Sequence, residues 1–401
     1  MKSTNKSLSL EVLRRPNLQD AFGPEYIIKV HDAKIGLTGF LVIHNTVLGP
    51  GKGGIRMTAD LSEEEVYRLA ETMTWKNSLA DIPFGGAKAG MIWPPSAEAT
   101  GGTSDSLKKL HVQSFARALA PFIPNKYIAG PDVNSGEKEM LWFVQALGNF
   151  EAATGKPGKY CRVVAGKKMC GLPHELGSTG FGVAQSTAVA AKHLGIDLKK
   201  ARVAIEGFGN VGTFAFKYLA EMGAKIVAVA DSRGAIYNEK GLDYNKLMSA
   251  KSKKGSVAEA VDGVKISRDH FWDVDAEILV PAAVTDAIND ANKRVIKAKL
   301  IIEGANIPMS ADIENEFAKK GVLVVPDFVA NAGGVISSYA EYKGFAPEKM
   351  FKLVKEKVTA ATEAVVKEVL KKGKNPRQAA FEIAAAKVSK AAKLRKNTFK
   401  L

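Results

Sequence analysis

The chain has 401 residues, 46% of them hydrophobic and 25% charged, with a formal net charge of +15 at pH 7. That length fits two or three domains, each with a sizeable core. The opening MKSTNKSLSLEVLRRPNLQD lacks the apolar run of a signal peptide, and no stretch of about 18 uncharged apolar residues occurs, so a cytoplasmic protein with no membrane partner is expected.

In chain order, residues 1 to about 25 read as a helix and a turn around Ser9, Pro16, Gly23 and Pro24. Two β-rich runs follow, Tyr26 to His31 and Gly39 to Asn45, on their alternation. They lead into GPGKGGIRMTADLSEEEVYRLAETMTWKNSLADIPFGGAKAG, which places Lys52, Lys76 and Lys88 in two glycine-rich turns and the end of the helix between them. Gly53, Gly54 and their neighbours let backbone approach a ligand, and the clustered cations suit a small dianion. Solvated lysines beside ordinary turns are the bland alternative. In the intervening helix Ser62 stands at the N-cap and Glu63 to Glu65 fill the first turn. A second helix is expected from Ser106 to Ala120, then a short strand Tyr127 to Ala129 ending at Asp132. Asp132 reads either as a turn-capping carboxylate or as the proton-transfer partner of a lysine, with Asn134 or Ser135 free to do the capping.

Residues 155 to 180 form a Gly/Pro/Lys-rich connector holding the only cysteines, Cys161 and Cys170. They make no CxxC pattern, and the six histidines show no ligand spacing, so reduced thiols and no metal are expected. The composition then shifts to an alanine-rich helix after GSTGFGV and a strand, turn, helix, strand unit. Gly207, Gly209 and Gly212, with Phe208, Asn210 and Val211 between them, meet GxGxxG after a strand and before a helix, and a second strand ends at Asp231. This spacing is the dinucleotide-binding fingerprint: the glycines admit the pyrophosphate at the helix N-terminus, and Asp231 can accept from the adenosine ribose. An acid there favours NAD, whereas Ser232 and Arg233 can bind a 2′-phosphate, so the cofactor expected is NAD, NADP or both, with a lean to NADP from the basic field and the adjacent cation. Three further apolar runs, AEILVPAAV, AKLIIEGAN and GVLVVPDFVAN, read as buried parallel strands. Their carboxyl ends make Ala282, Asn306 and Asn331 candidate contacts to nicotinamide or ribose, against an ordinary turn role for each. NAGGVISSYAEY opens a helix at a double glycine that fits a hinge closing two domains over the reaction. In KLVKEKVTAATEAVVKEVLKK the lysines alternate with Glu and Ala at helical spacing, a solvated face, and no zinc-finger or RNA-binding signature accompanies it, so no nucleic acid is expected.

GPGKGGIR, MTWKNSLADIPFGGAKAG, AGPDVNS, GSTGFGV, GFGNVG, EGAN and NAGGVISSY, in this order, resemble the glutamate dehydrogenase family within the wider glutamate/leucine/phenylalanine/valine group, from about residue 10 onward. The resemblance implies an α/β architecture: a substrate-binding and oligomerisation domain (1–175), a Rossmann NAD(P)-binding domain (176–330), and a hinge with C-terminal helices returning to the first domain (331–401). It implies Lys88 as catalytic lysine and Asp132 as catalytic aspartate, with Lys76 on the substrate α-carboxylate. Lys52 and Ser338 match the pair on the side-chain carboxylate, with Gly53 and Gly54 beside them, and Thr179 and Asn306 match nicotinamide contacts. Desolvation and neighbouring lysines are expected to lower the Lys88 pKa. The implied reaction is reversible oxidative deamination of L-glutamate to 2-oxoglutarate and ammonia, by a homo-oligomer that in this family is commonly a hexamer. Members acting on leucine or phenylalanine resemble GPALGG where this chain has Lys52, which keeps a branched-chain or aromatic amino-acid dehydrogenase as the alternative; a non-enzymatic nucleic-acid-binding paralogue is a third reading. Ala89 and the run PAAVTDAI depart from the family pattern and leave the contacts around Ala282 and Thr285 open.

Overall fold

The computed structural model describes residues 7–94, 104–173 and 176–398. The chain divides into two units, one comprising Met1–His174, Ser337–Met350 and Ala384–Leu401, the other Glu175–Ile336 and Phe351–Ile383.

The first unit is built on a seven-stranded mixed sheet in the order β1-β2-β3-β6-β4-β7, with β5 pairing β6. Its strands are β1 (Leu8–Leu13), β2 (Tyr26–Asp32), β3 (Leu37–Asn45), β4 (Gly51–Lys52), β5 (Ile55–Thr58), β6 (Gly85–Ile92) and β7 (Tyr127–Ile128). Helix α1 (Glu63–Leu79) starts where Ser62 Oγ accepts from the Glu65 amide at 3.1 Å, as the acidic first turn requires. Helices α2 (Asp105–Leu119) and α3 (Glu137–Leu147) pack Val112, Phe115, Leu119, Met140 and Phe143 against Ile28, Leu41, Ile55 and Met91 of the sheet. That apolar face fixes the register: Ala87 lies on the side packed against these helices, while Lys88, the next residue, shares the opposite face with its cross-strand partner Val42 and pairs with Asp132.

Two expectations fail here. The N-terminal segment is not a helix: Leu8–Leu13 is an edge strand antiparallel to β2, with Leu8 opposite Asp32 and Leu13 opposite Ile27. Cross-strand pairing, invisible in local propensity, overrides the helical reading; residues 1–6 lie outside the described residues. The cysteines are not reduced thiols. The connector folds into an antiparallel hairpin of β8 (Cys161–Val164) and β9 (Lys167–Cys170), which sets Cys161 directly opposite Cys170, and the two are joined as a disulfide. A spacing of nine residues, uninformative as a motif, becomes a cross-strand pair once Ala165 and Gly166 make the turn at positive φ.

The second unit is a doubly wound sheet, β13-β12-β11-β10-β14-β15-β16. Helix α4 (Ser178–His193) precedes β10 (Arg202–Glu206), α5 (Asn210–Glu221) and β11 (Lys225–Asp231). Next come β12 (Gly234–Tyr237), α6 (Tyr244–Lys254), β13 (Val264–Ile266), β14 (Ile278–Pro281), β15 (Leu300–Ile302), α7 (Ala311–Lys319) and β16 (Leu323–Val325). β10, β11, β14, β15 and β16 are parallel and almost wholly buried, as their unbroken apolar runs predict. Then α8 (Gly333–Tyr342), α9 (Pro347–Lys372) and α10 (Pro376–Thr398) complete the chain. Within α9, Met350, Val354, Val358, Ala361 and Val365 are buried while the lysines alternate outward. The start of the Ala384–Leu401 stretch lies against the end of α1, where Ser78 Oγ donates to the Ala384 carbonyl at 2.8 Å. No helix among the described residues is long and apolar enough to cross a membrane.

Candidate active site

In the first unit, β4 runs parallel to both β6 and β7, so Lys52 is held between two neighbouring strands and is only 3% exposed. The glycines after it serve this packing. A Cβ on Gly53 would lie 1.7 Å from the Ala87 carbonyl oxygen, and one on Gly54 would lie 2.5 Å from that of Pro131. The space they leave is thus occupied by the protein's own backbone. The Lys52 ammonium donates to the Ala129 carbonyl at 2.9 Å, and among the described residues no carboxylate lies within ion-pair distance of it. Burial lowers its pKa to about 7, Glu341 opposing that fall and Lys156 and Lys88 adding to it.

Lys76 lies in the last turn of α1 and Lys88 on β6; both are buried. Lys88 makes a direct ion pair with Asp132. The Asp132 carboxylate also accepts from the Val133 amide at 2.7 Å and from Arg56 at 3.4 Å. Burial pushes this carboxyl up, but Lys88 and Arg56 outweigh burial and hold it at about 2. Capping does not consume it. Gly136 is the N-cap of α3, with Glu139 closing back on the Gly136 amide at 2.8 Å, and the Ser135 hydroxyl is spent on the Ile55 carbonyl.

Sequence reasoning gave Arg56 no role, yet its guanidinium bridges Glu65 (2.6 Å) and Asp132. Its signal was position: it stands four residues beyond Lys52, on the strand beside β6. A second omission is the fully buried pair Lys156 and Glu341, 2.7 Å apart. Lys156 also donates to the Ala153 carbonyl and lies 4.0 Å from the centre of the Phe150 ring. Glu341 accepts from the amides of Gly155 at 2.7 Å and Leu172 at 3.0 Å. Ser338 is half-buried one helical turn before Glu341 on α8.

In the second unit, the carboxyl ends of the parallel strands gather the remaining candidates. Gly207 has φ +103°, and a Cβ there would meet the Ala283 amide at 2.7 Å; a Cβ on Gly212 would fall 1.9 Å from the Gly207 carbonyl. Gly209, the N-cap of α5, supplies no capping side chain and faces open space. The loop therefore leaves the first amides of α5 for an anion, which fits a dinucleotide pyrophosphate. Phe208 is buried edge-on to Phe216, and Asn210 and Val211 open α5. Ala282 closes onto the Glu206 carbonyl at 2.6 Å. Asn331 donates to Asn306 Oδ1 at 3.1 Å and to the Gly304 and Ala305 carbonyls, both at 3.3 Å, which ties those loops together. Thr179, in the first turn of α4, lies against Gly333, whose Cβ would come within 3.1 Å of the Thr179 Cα.

Asp231 is placed at the strand end as expected, but its carboxylate turns inward. Oδ1 accepts from the Arg233 amide and Ser256 Oγ, and Oδ2 from Lys251 Nζ and the Val257 amide, all at 2.9 Å. Four donors fill the four lone-pair sites of a carboxylate, and Lys251 leads the groups that hold it ionised against burial. The ribose acceptor read from the spacing is therefore already committed, while Ser232 and Arg233 are exposed beside it. Elsewhere the histidines do gain neighbours in space: donor atoms of His44, Asp20 and Glu71 lie within 4.8 Å of one another, with His44 Nδ1 already on Thr74 at 2.8 Å.

Buried lysines, one of them paired with an aspartate, and a separate pyrophosphate-type loop are the parts that an amino-acid dehydrogenase needs. The Glutamate/Leucine/Phenylalanine/Valine dehydrogenase profile matches residues 171–396, and the corresponding dimerisation-domain profile matches residues 24–149. A glutamate dehydrogenase of Aeropyrum pernix is 39% identical over 92% of this chain and 89% of its own length. An NADP-specific glutamate dehydrogenase of Saccharolobus shibatae is 36% identical over 85% and 82%. Among solved structures, the hetero-hexameric glutamate dehydrogenase of Thermus thermophilus in its Leu-bound form superposes with a TM-score of 0.77 at 28% identity, covering 97% of this chain and 90% of that one. The two-profile match and the near full-length likeness agree with the lysines, the aspartate and the glycine loop in assigning this chain to the glutamate/leucine/phenylalanine/valine dehydrogenase family.

Proposed function

We propose that the chain is a glutamate dehydrogenase, catalysing the reversible oxidative deamination of L-glutamate to 2-oxoglutarate and ammonia with NAD or NADP. One observation carries the substrate choice: Lys52 is buried without a carboxylate in ion-pair distance among the described residues, whereas Lys88 has Asp132 and Lys156 has Glu341. An apolar side chain beside it would leave that ammonium unpaired, at a cost of several kcal/mol. A substrate with a distal carboxylate supplies the missing anion.

In this reading Lys52 and Ser338 hold the distal carboxylate, Lys76 holds the α-carboxylate, and Gly53 and Gly54 let β4 pass close enough to β6 to aim Lys52. Asp132, ionised down to about pH 2, accepts the proton that leaves the substrate amine. Lys88, in contact with Asp132, activates the water that attacks the imine and stabilises the oxyanion that develops. Arg56 keeps Asp132 charged while Lys88 exchanges its proton. When bound, the dinucleotide supplies the hydride acceptor or donor; the loop 207–212 would hold its pyrophosphate, with Thr179, Ala282, Asn306 and Asn331 about the nicotinamide and ribose. The inward Asp231 and outward Ser232 and Arg233 favour NADP. We assign substrate binding to the first unit and the dinucleotide to the second, and read the enzyme as cytoplasmic and as a hexamer, the latter by likeness to the hetero-hexameric relative, with copies of this one chain as its subunits.

The test is reductive amination followed by absorbance, with 2-oxoglutarate against 4-methyl-2-oxopentanoate, each with NADH and NADPH. Turnover confined to 2-oxoglutarate is expected. Preference for the branched oxoacid would defeat the Lys52 argument, and an NADH preference above about tenfold would defeat the cofactor assignment.

A further inference from the structure

A short strip of backbone connects Lys52 to the Lys156–Glu341 pair. The Ala129 carbonyl accepts both the Lys52 ammonium, at 2.9 Å, and the Thr154 amide, at 3.0 Å. The next amide, Gly155, donates to Glu341 at 2.7 Å, and Lys156 after it closes the ion pair. Ala129 and Ala153 are bridge partners, and Lys156 Nζ holds the Ala153 carbonyl. The strip is rigid at its turn: Gly155 has φ +76°, and a Cβ there would meet the Pro131 ring at 2.5 Å. Thr154 Oγ1, buried and without a partner among the described residues, lies on the same strip, near the point where a Cβ on Gly130 would meet Lys52 Nζ.

Glu341 is thus a carboxylate held by two backbone amides and one lysine, all rigidly placed, beside an ammonium that lacks a counterion. Its three partners are far more than a surface helix residue needs. It also lies one turn beyond Ser338, so the helix that carries the distal-carboxylate hydroxyl carries this charge too.

We propose that Glu341 is a positioning residue for substrate recognition: fixed by Lys156 and the Gly155 and Leu172 amides, it favours the charged form of Lys52, and so sets the pH range over which a distal carboxylate is bound. The proposal rests on the reading that Lys52 binds that carboxylate. The charged groups that act on Lys52 are Glu341, which favours its proton, and Lys156 and Lys88, which oppose it. Opposite signs follow for the two members of the pair. Removing the Glu341 charge narrows the range from the alkaline side; removing the Lys156 charge widens it.

The experiment measures KM and kcat for 2-oxoglutarate from about pH 6 to pH 9 in the wild type, Glu341→Gln, Lys156→Gln and Lys52→Met. For Glu341→Gln, KM is expected to rise about tenfold at pH 8 and less than about threefold at pH 6, with kcat at saturation within about threefold. For Lys156→Gln, the alkaline rise in KM should move to higher pH. A purely structural role would move both variants the same way at every pH, or lower kcat at constant KM, and either result overturns the proposal. Should Glu341→Gln not fold, the direction of the Lys156→Gln shift decides alone. Lys52→Met separates the two readings. If it leaves the 2-oxoglutarate KM unchanged, the Lys52 assignment itself fails. If it raises KM while Glu341→Gln leaves the pH profile in place, only the Glu341 proposal fails.

Discussion

Replacing Lys52 by methionine separates two costs that its ammonium carries. Burial lowers its pKa from 10.5 to about 7, and that gap corresponds to at most about 5 kcal/mol of penalty for keeping the charged form in the folded chain. Because the folded value lies below the unfolded one, the folded state binds fewer protons between about pH 7 and pH 10.5. Wild-type stability therefore rises with pH through that window, and the full penalty is felt below it. Methionine is unbranched, one atom shorter and uncharged, so Lys52→Met should unfold at a higher temperature than wild type near pH 6. The advantage should fade toward pH 10, where wild-type Lys52 is neutral. Binding moves the other way. Loss of a charge-assisted bond to the distal carboxylate, worth about 2–3 kcal/mol, should raise the 2-oxoglutarate KM by roughly 30- to 150-fold. Thermal melts from pH 6 to pH 10, with and without 2-oxoglutarate, read the first effect and initial rates read the second. A variant less stable than wild type at pH 6, with KM within about threefold, would refute the view of Lys52 as a buried charge awaiting its anion.

Asp132→Asn removes the proton acceptor and leaves Lys88 facing a neutral amide; kcat should fall by about 10²- to 10⁴-fold, and near-full turnover in a steady-state assay would defeat the assignment. Removing both exposed groups beside Asp231, as Ser232→Ala with Arg233→Ala, should raise the NADPH dissociation constant at least about tenfold more than that of NADH; fluorescence titration of each reduced cofactor without substrate reads it, and equal losses would count against a 2′-phosphate contact. Arg377 reaches Glu303 at 2.9 Å, Glu314 at 2.7 Å and Asp327 at 3.1 Å, and all three carboxylates are essentially buried. Arg377→Met should cost about 3–5 kcal/mol in denaturant unfolding near neutral pH. Burial and its two acidic neighbours already push the Glu303 carboxyl well above the usual range. A raised carboxyl destabilises at alkaline pH and is relieved as it protonates, so the deficit should shrink as the pH falls; a deficit independent of pH would point to lost packing instead.

What was legible in the sequence was whatever a few neighbouring residues decide among themselves. Ser62 caps α1 because Glu65 is three residues on, and Gly207, Gly209 and Gly212 make their turn with the strand and helix that flank them. The parallel strands of the second unit were readable because full burial leaves an unbroken apolar run. Asp132 was placed by the same local logic, at a strand end before a helix with its own cap. The N-terminal strand was not readable, since Leu8 to Leu13 takes its conformation from β2. Nor was the direction of Asp231: spacing put it at the strand end, but Lys251, Ser256 and Val257, 20 to 26 residues later, turned its carboxylate inward.

Glu341 marks the limit most clearly. Its amide partners lie 186 and 169 residues away in the chain, so no window of sequence holds both sides of the interaction, and in NAGGVISSYAEY it looks like one more polar helix residue. Physics nevertheless demands something of its kind. An ammonium buried to the depth of Lys52 titrates near neutrality even with Glu341 opposing desolvation, and without that anion it would lose its proton at still lower pH; an anion buried at that depth must itself be paired and hydrogen-bonded. Once Lys52 is read as a buried cation that must stay charged, a compensated carboxylate near it follows as a requirement. The three-partner clamp on Glu341 meets that requirement without placing the carboxylate in contact with Lys52, which leaves the ammonium open to the substrate.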